Sequence, residues 1–377
     1  MLNIEKEILL DALTWIIRAV PLRPNIQALE GIVIKTNSDN TITLSAYNNE
    51  LYMENTIPVK KIISEETIIV PGKLLFEMIK TIPSSEIEIK KDEKLNKFII
   101  SAKKTRFTIS SIPLEEYPQV LAKGEIIGNI ESEELFAAIA KTYNASNHDE
   151  TVPVLASIKM TFLENKVQYD STDRFRLAKA IGSWENLNNE EHEVLVGSRA
   201  INELSKAFKD KGKLQIALKK GNNGKNTTIA FSTKNRLIIL PLLNVEKFPP
   251  IETLFTNKHN VVVTVNARQL LECLYRASIV SVRNRVMLEY KDNEIRITAG
   301  DDKDIASTSE VIPASIIGES QKVIYNITYL QDGITPVNSE NINIKMNEPR
   351  KPNEIVAIND KRKEIDNYRY LIVPISS

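Results

Sequence analysis

One cysteine in 377 residues, Cys273, leaves no intrachain disulfide to form and points to a reducing compartment. Its surroundings, LLECLYRAS, have helical spacing, so it reads as a small core residue. Only three histidines occur, His148, His192 and His259, scattered in polar, loop-like sequence. That scarcity argues against a histidine metal cluster, and no HxxxH, CxxC, P-loop lysine or GxGxxG pattern is present. No apolar run approaches the roughly 18 residues that span a membrane. The first residues carry Glu5, Glu7 and Asp11, where a signal peptide wants basic side chains. A soluble, cytoplasmic protein with no membrane partner is the expectation. Net charge is lacking too, with 49 Lys+Arg against 49 Asp+Glu. A free nucleic-acid binder is usually basic, so contact with nucleic acid would need charges sorted onto separate faces. Aromatics are 6% of the chain, which leaves the packing to aliphatic side chains.

What is present is a repeat. Leu9-Leu10 with Leu13, Leu135-Phe136 with Ile139, and Leu270-Leu271 with Leu274 each place apolar residues at i, i+1 and i+4, the stripe of an amphipathic helix. A second set follows at Leu74-Leu75 with Met78, Ala200-Ile201 with Leu204, and Tyr329-Leu330. A β-branched run precedes each of these (TIIV, VLV, KVIY), and alternating strands follow at Ile87-x-Ile89, Leu214-x-Ile216 and Ile342-x-Ile344. Between the helices, TITLSA, KFIISA, RFTIS, KVQYD, TTIAFS, RLIIL and EIRITA read as strands. The fold class is therefore α+β: three repeated domains, each with two helices packed on antiparallel sheet. The divisions expected are 1–122, 123–256 and 257–377, marked by Pro118 and Gly124 and by Pro249-Pro250.

The one enzyme-like feature is acidic. Asp170 and Asp173, with Asp301, Asp302 and Asp304, could hold Mg²⁺ for a nuclease or phosphoesterase. The two groups occupy corresponding places in the second and third repeats, where Asp commonly serves turn chemistry. No cofactor is expected.

Thr172-Asp173-Arg174-Phe175-Arg176-Leu177-Ala178 resembles the TDRFRLA segment of bacterial DNA polymerase sliding clamps. Arg23-Pro24 with Leu29-Glu30-Gly31-Ile32, Val70-Pro71-Gly72-Lys73-Leu74-Leu75, Glu116-Tyr117-Pro118, Phe248-Pro249 and Tyr370 to Ile375 match the family in the same order. The resemblance covers essentially the whole chain. It implies a non-enzymatic subunit of the DNA clamp fold that tethers the replicative polymerase to duplex DNA, as a dimer closing into a six-domain ring. Helix spacing supports the dimer separately. Six inward helices at about 9 Å spacing span roughly 54 Å of arc and leave a bore near 7 Å, whereas twelve leave roughly 24 Å, enough for a duplex.

The resemblance also implies sites. Non-specific DNA contacts would come from Arg23, Lys73, Lys80, Lys141, Arg199, Lys206, Arg268 and Arg276, with Arg18 and Lys209 as further helix-borne cations. Glu131, Glu133 and Glu134 stand where one such helix begins and suit its N-terminal dipole. A hydrophobic pocket for short linear peptides of the polymerase catalytic subunit, the clamp loader and repair proteins would use Leu155, Thr172, Arg174, Phe175, Arg176, Leu177, Pro249, Leu254, Val373, Pro374 and Ile375. Dimer contacts would involve Phe107 and Ile109 on one side and Ile279 and Val280 on the other. The chain departs from some relatives in its Ser376-Ser377 ending and in Asp149 to Pro153, where polar or aromatic DNA contacts are not found.

Overall fold

A computed structural model describes residues 2–62, 64–92, 97–118, 121–147, 149, 151–255, 259–300, 305–347 and 351–375. Six helices fall where the apolar stripes predict them: α1 (Lys6–Ile16), α2 (Gly72–Thr81), α3 (Ser132–Thr142), α4 (Ser198–Phe208), α5 (Ala267–Val280) and α6 (Ile327–Ile334). Each is entered directly from a strand. Leu2–Glu5, Glu125–Glu131 and Val261–Asn266 lead into α1, α3 and α5. Thr67–Pro71, His192–Gly197 and Gln321–Asn326 lead into α2, α4 and α6.

Local chemistry sets these transitions. The Asn266 and Asn326 side chains accept from the backbone N–H of Gln269 and Tyr329, satisfying first-turn donors of α5 and α6. At the start of α2 a Cβ on Gly72 would lie 2.8 Å from Ile32 Cγ1, so only glycine lets the helix sit that close to the sheet. At its other end, the Lys6 ammonium donates to the carbonyls of Lys80 and Ile82, the favoured place for a cation. Leu9, Ala12, Leu13 and Ile16 line one side of α1 and are buried. Truncating a fully buried leucine such as Leu13 to alanine costs about 3 kcal/mol.

The chain forms two compact units, Met1–Ser132 with Glu203–Leu242, and Glu133–Asn202 with Leu243–Ser377. In the first, an antiparallel sheet of eight strands runs in the order Thr67–Pro71, Gly31–Thr36, Thr41–Tyr47, Tyr52–Pro58, Arg236–Leu243, Asn226–Ser232, Lys213–Lys220, Glu125–Glu131. A five-stranded sheet of the same unit ends at Thr105–Ser110. Trp15 packs edge-on against Phe208 at 5.8 Å and donates its indole N–H to the Ala207 carbonyl.

In the second unit nine strands form one antiparallel sheet: His192–Gly197, Ser157–Phe162, Lys166–Thr172, Arg176–Ser183, Glu364–Ile372, Asn353–Ile358, Asn341–Met346, Val261–Asn266, Ser315–Ile317. A four-stranded sheet ends at Thr308–Pro313. Phe162 and Trp184 meet edge-on at 4.9 Å, and the Trp184 indole donates to Leu163 O at 2.7 Å.

The repeat is explicit in the pairing. Three meanders, each followed by a strand and helix, end in Tyr52–Pro58, Arg176–Ser183 and Thr308–Pro313. Three further meanders end in Thr105–Ser110, Arg236–Leu243 and Glu364–Ile372. Tyr52–Pro58 pairs antiparallel with Arg236–Leu243, and Arg176–Ser183 pairs antiparallel with Glu364–Ile372. Among the described residues, Thr105–Ser110 and Thr308–Pro313 are terminal strands of their sheets.

Candidate functional site

The TDRFRLA segment is a tight connection between two strands of the nine-stranded sheet. Asp173 Oδ1 accepts from the N–H groups of Phe175 and Arg176 at 2.9 and 3.0 Å, and the Thr172 hydroxyl donates to Arg176 O at 2.7 Å. Arg174 takes a left-handed φ of 79°, unusual without glycine, and its N–H donates to the Thr172 hydroxyl oxygen. Phe175 is left 60% exposed at the tip.

Arg176 turns inward. Its Nε lies 2.9 Å from Asp173 Oδ2, and its Nη1 lies 2.5 Å from Asp332 Oδ2 on α6. The guanidinium stacks 4.0 Å from the centre of the Tyr329 ring. Burial works against its charge, but Tyr370, Asp332 and Asp173 outweigh burial and raise its pKa. The planar fork thus pins the connection to a helix 156 residues away in sequence.

Beside this connection Leu177, Leu195, Phe248, Ile251 and Leu371 form a buried apolar cluster, with Val154, Leu243, Val245 and Phe255 against it. Leu155 is buried, Pro249 half-buried, and Leu254 exposed. Val373, Pro374 and Ile375 are half-buried, anchored where Val373 N–H donates to Phe175 O and Ile375 N–H donates to Ile324 O. Of the eleven pocket residues expected, Leu177 belongs to this cluster and Pro249 follows its Phe248 in sequence, while Phe175 and Leu254 are exposed apolar side chains. Phe248, Ile251, Leu195, Asp332 and Tyr329 were not anticipated. Only Phe248, beside Pro249, carried a local signal.

The acidic alternative dissolves on inspection. Asp173 is consumed by the turn and by Arg176. Asp170 is 1% exposed, bonded to Gln168, and pushed up to about 6 by burial. Asp301, Asp302 and Asp304 lie outside the described residues. Among the described residues no group of three His, Cys, Asp or Glu could hold a metal ion. Two histidines differ from expectation. His192 begins a strand and is buried, and His259 Nε2 lies 3.2 Å from the buried Glu354. His148 lies outside the described residues.

The helix cations fall into two groups. Arg23, Lys73 and Lys80 are exposed on the loop after α1 and on α2, Lys73 donating to Pro21 O. Others are ion-paired: Arg18 and Lys206 with Glu203, Arg268 with Glu272, and Arg276 with Glu310. Arg199 and Lys209 are exposed, while Lys141 is half-buried and burial lowers its pKa against the opposing pull of Glu134.

At the terminal strands, Phe107 is half-buried and Ile109 is core, 2% exposed. Ile109 points into its own sheet packing, a consequence of strand alternation. Ile279 is 70% exposed, with Tyr275 one turn before it on α5 at 65% and Val282, just past the end of the helix, at 75%, an exposed apolar group. Arg276, on the same helix, reaches Glu310 of Thr308–Pro313, which places the group beside that free edge. Val280 is half-buried.

Repeated strand-to-helix units and meanders joined edge to edge define a three-domain clamp subunit. Models of the DNA polymerase III beta subunit match in three consecutive pieces: N-terminal domain over 1–121, central domain over 129–250, C-terminal domain over 252–376. The chain belongs to the DNA polymerase III beta subunit family. It is 26% identical to the beta sliding clamp of Streptomyces coelicolor, covering 99% of this chain and 98% of that one. It is 27% identical to a beta sliding clamp homolog, GriR, of Streptomyces muensis, with the same coverage. The DNA polymerase sliding clamp structure from Bacillus subtilis superposes with a TM-score of 0.91 at 24% identity, covering 100% of this chain and 98% of that one. The protein is a sliding clamp, a processivity factor without catalytic residues of its own, and the metal-dependent nuclease reading falls.

Proposed function

We propose that two copies close into a ring around duplex DNA, the free edge Thr105–Ser110 of one copy pairing with Thr308–Pro313 of the other. One observation carries this reading. Both repeat-equivalent pairs of strands within the chain are already joined antiparallel, and these two edges are the members left over. A contact that repeats the internal junction twice satisfies two-fold closure. It also covers the exposed Tyr275, Ile279 and Val282 and half-open Phe107, and it removes two sheet edges that otherwise invite unwanted pairing.

In this reading the three domains are 1–122, 123–256 and 257–377. DNA is held by topology, with exposed cations such as Arg23, Lys73 and Lys80 meeting phosphates and no base being read. Client segments from the polymerase catalytic subunit, the clamp loader and repair proteins dock apolar side chains on the Leu177–Phe248–Leu371 cluster, between Phe175, Leu254 and the tail. Arg174, Arg176, Thr172 and Leu155 shape and support that surface rather than fill it. The cytoplasm is its place of work.

Light scattering after size exclusion tests closure: a particle near 85 kDa, twice the 42.6 kDa chain, is expected. Loaded onto nicked circular DNA, the ring should stay bound and then run off once the circle is linearised. A monomer at micromolar concentration with equal retention on both DNA forms rejects the proposal.

A further inference from the structure

On the eight-stranded sheet, three neighbouring strands bring polar side chains into one row. Asn129 stands opposite Gln215, and Gln215 opposite Ser232. Leu214 and Ile216 are buried, so Gln215 and Lys213 point to the other face of their strand. Lys234 and Thr233 come from the turn after Ser232. These six residues line a recess of about 350 Å³.

Its chemistry is one-sided. Two lysines, two carboxamides and two hydroxyls line it, and no carboxylate does. The Thr233 hydroxyl already accepts from Arg236 N–H. Ser232 is different: it is 2% exposed, and its hydroxyl has no hydrogen-bond partner. Buried hydroxyls are ordinarily paired, so an orphan in the wall of a cationic recess calls for an acceptor from outside. Glu131, opposite Lys213 in the ladder, offsets one of the two positive charges and leaves the other. The volume lies at the lower end of the range for small-ligand pockets, about 300–1,000 Å³.

We propose that this recess binds a phosphate-bearing small molecule of mononucleotide size. The phosphate sits between Lys213 and Lys234 and draws out as a donor the Ser232 hydroxyl, which is closed to solvent without it, while the Asn129 and Gln215 carboxamides meet the attached group. Inorganic phosphate and a nucleotide share this oxyanion chemistry, and titration separates them.

The test is calorimetric titration of the full-length protein with inorganic phosphate and, separately, with AMP, at ionic strength held constant with chloride. Saturable binding at one site per chain is expected from at least one of them. Tighter AMP binding identifies a nucleotide as the ligand, and equal affinities identify the phosphate group alone. The Lys213→Ala/Lys234→Ala double variant, altered only in lysine side chains at the rim, should bind at least about tenfold more weakly, and Ser232→Ala about tenfold more weakly. Both should keep the wild-type melting temperature in chloride and retention on circular DNA. No saturable binding of either ligand, or binding unchanged in both variants, overturns the proposal.

Discussion

Asp170 shows how a single side chain can tax a stable sheet. It lies in the middle of a strand, 1% exposed, with Oδ2 bonded to Gln168 and Oδ1 without a partner. Burial raises its pKa to about 6 from an ordinary 3.8, against the Gln168 bond and the nearby Lys179, with Glu252 adding to the rise and Lys159 opposing it. A carboxyl with a raised folded pKa contributes its full stability only below the unfolded value, and loses it as pH rises through about 6. The shift of roughly two units corresponds to about 2 to 3 kcal/mol. Asp170→Asn removes the charge and keeps the shape. Urea unfolding at pH 8 should show it more stable than wild type by about that amount, with the difference vanishing below pH 4. Asp170 and Asp173 look alike in sequence, three residues apart. Their different roles depend on what faces them: Asp173 serves a turn, which the corresponding places of the acidic groups in the second and third repeats already suggested, whereas its partner Arg176 also needs Asp332, invisible until the chain folds.

Among the elements, what repeats locally was legible and what meets across distance was not. The six helices could be read because an apolar stripe is written within eleven or so residues. Strand identity was legible from alternation. Strand neighbours were not, since the pairing of Arg236–Leu243 with Tyr52–Pro58 spans the chain without any local mark. The open edges follow only from knowing which strands are already paired. The family resemblance put Phe107 and Ile109 together at a contact edge, but Ile109, two residues on and on the same face, is 2% exposed core. The variants therefore separate. Phe107→Arg or Ile279→Asp should give a folded monomer by light scattering at micromolar concentration, with the wild-type circular dichroism spectrum. Ile109→Asp should instead lower the melting temperature, because it buries an unpaired charge. The tail element is independent of this edge. Deleting residues 373–377 removes the N–H groups that bond to Phe175 and Ile324. Loss of client-peptide binding in fluorescence polarisation, with the dimer intact, is the expected result. Unchanged peptide affinity would place the docking surface elsewhere.

At the scale of the whole molecule, charge decides how the clamp holds DNA. The six helices carry eight Lys and Arg and eight Asp and Glu, as the chain as a whole carries equal numbers. Arg18, Lys206, Arg268 and Arg276 are further committed to Glu203, Glu272 and Glu310. Exposed ion pairs of this kind are worth little to stability, but they leave fewer cations to displace counterions from a phosphate backbone. Arg23, Lys73 and Lys80 are an exposed group on the loop after α1 and on α2, outside these pairs. Open-ended binding to linear duplex should thus be weak, with affinity falling with salt at a log–log slope of about −3 per chain or shallower. Arg23→Ala and Lys73→Ala should each flatten that slope by about one unit. In the proposed ring, retention on a circle after loading depends on closure instead of attraction. It should survive salt that strips the clamp from linear DNA, and survive it equally in both variants. A steep salt slope on linear DNA would mean that paired arginines give up their carboxylates to phosphate. Circular retention that falls in parallel with linear binding would mean that attraction, and not the closed ring, holds the duplex.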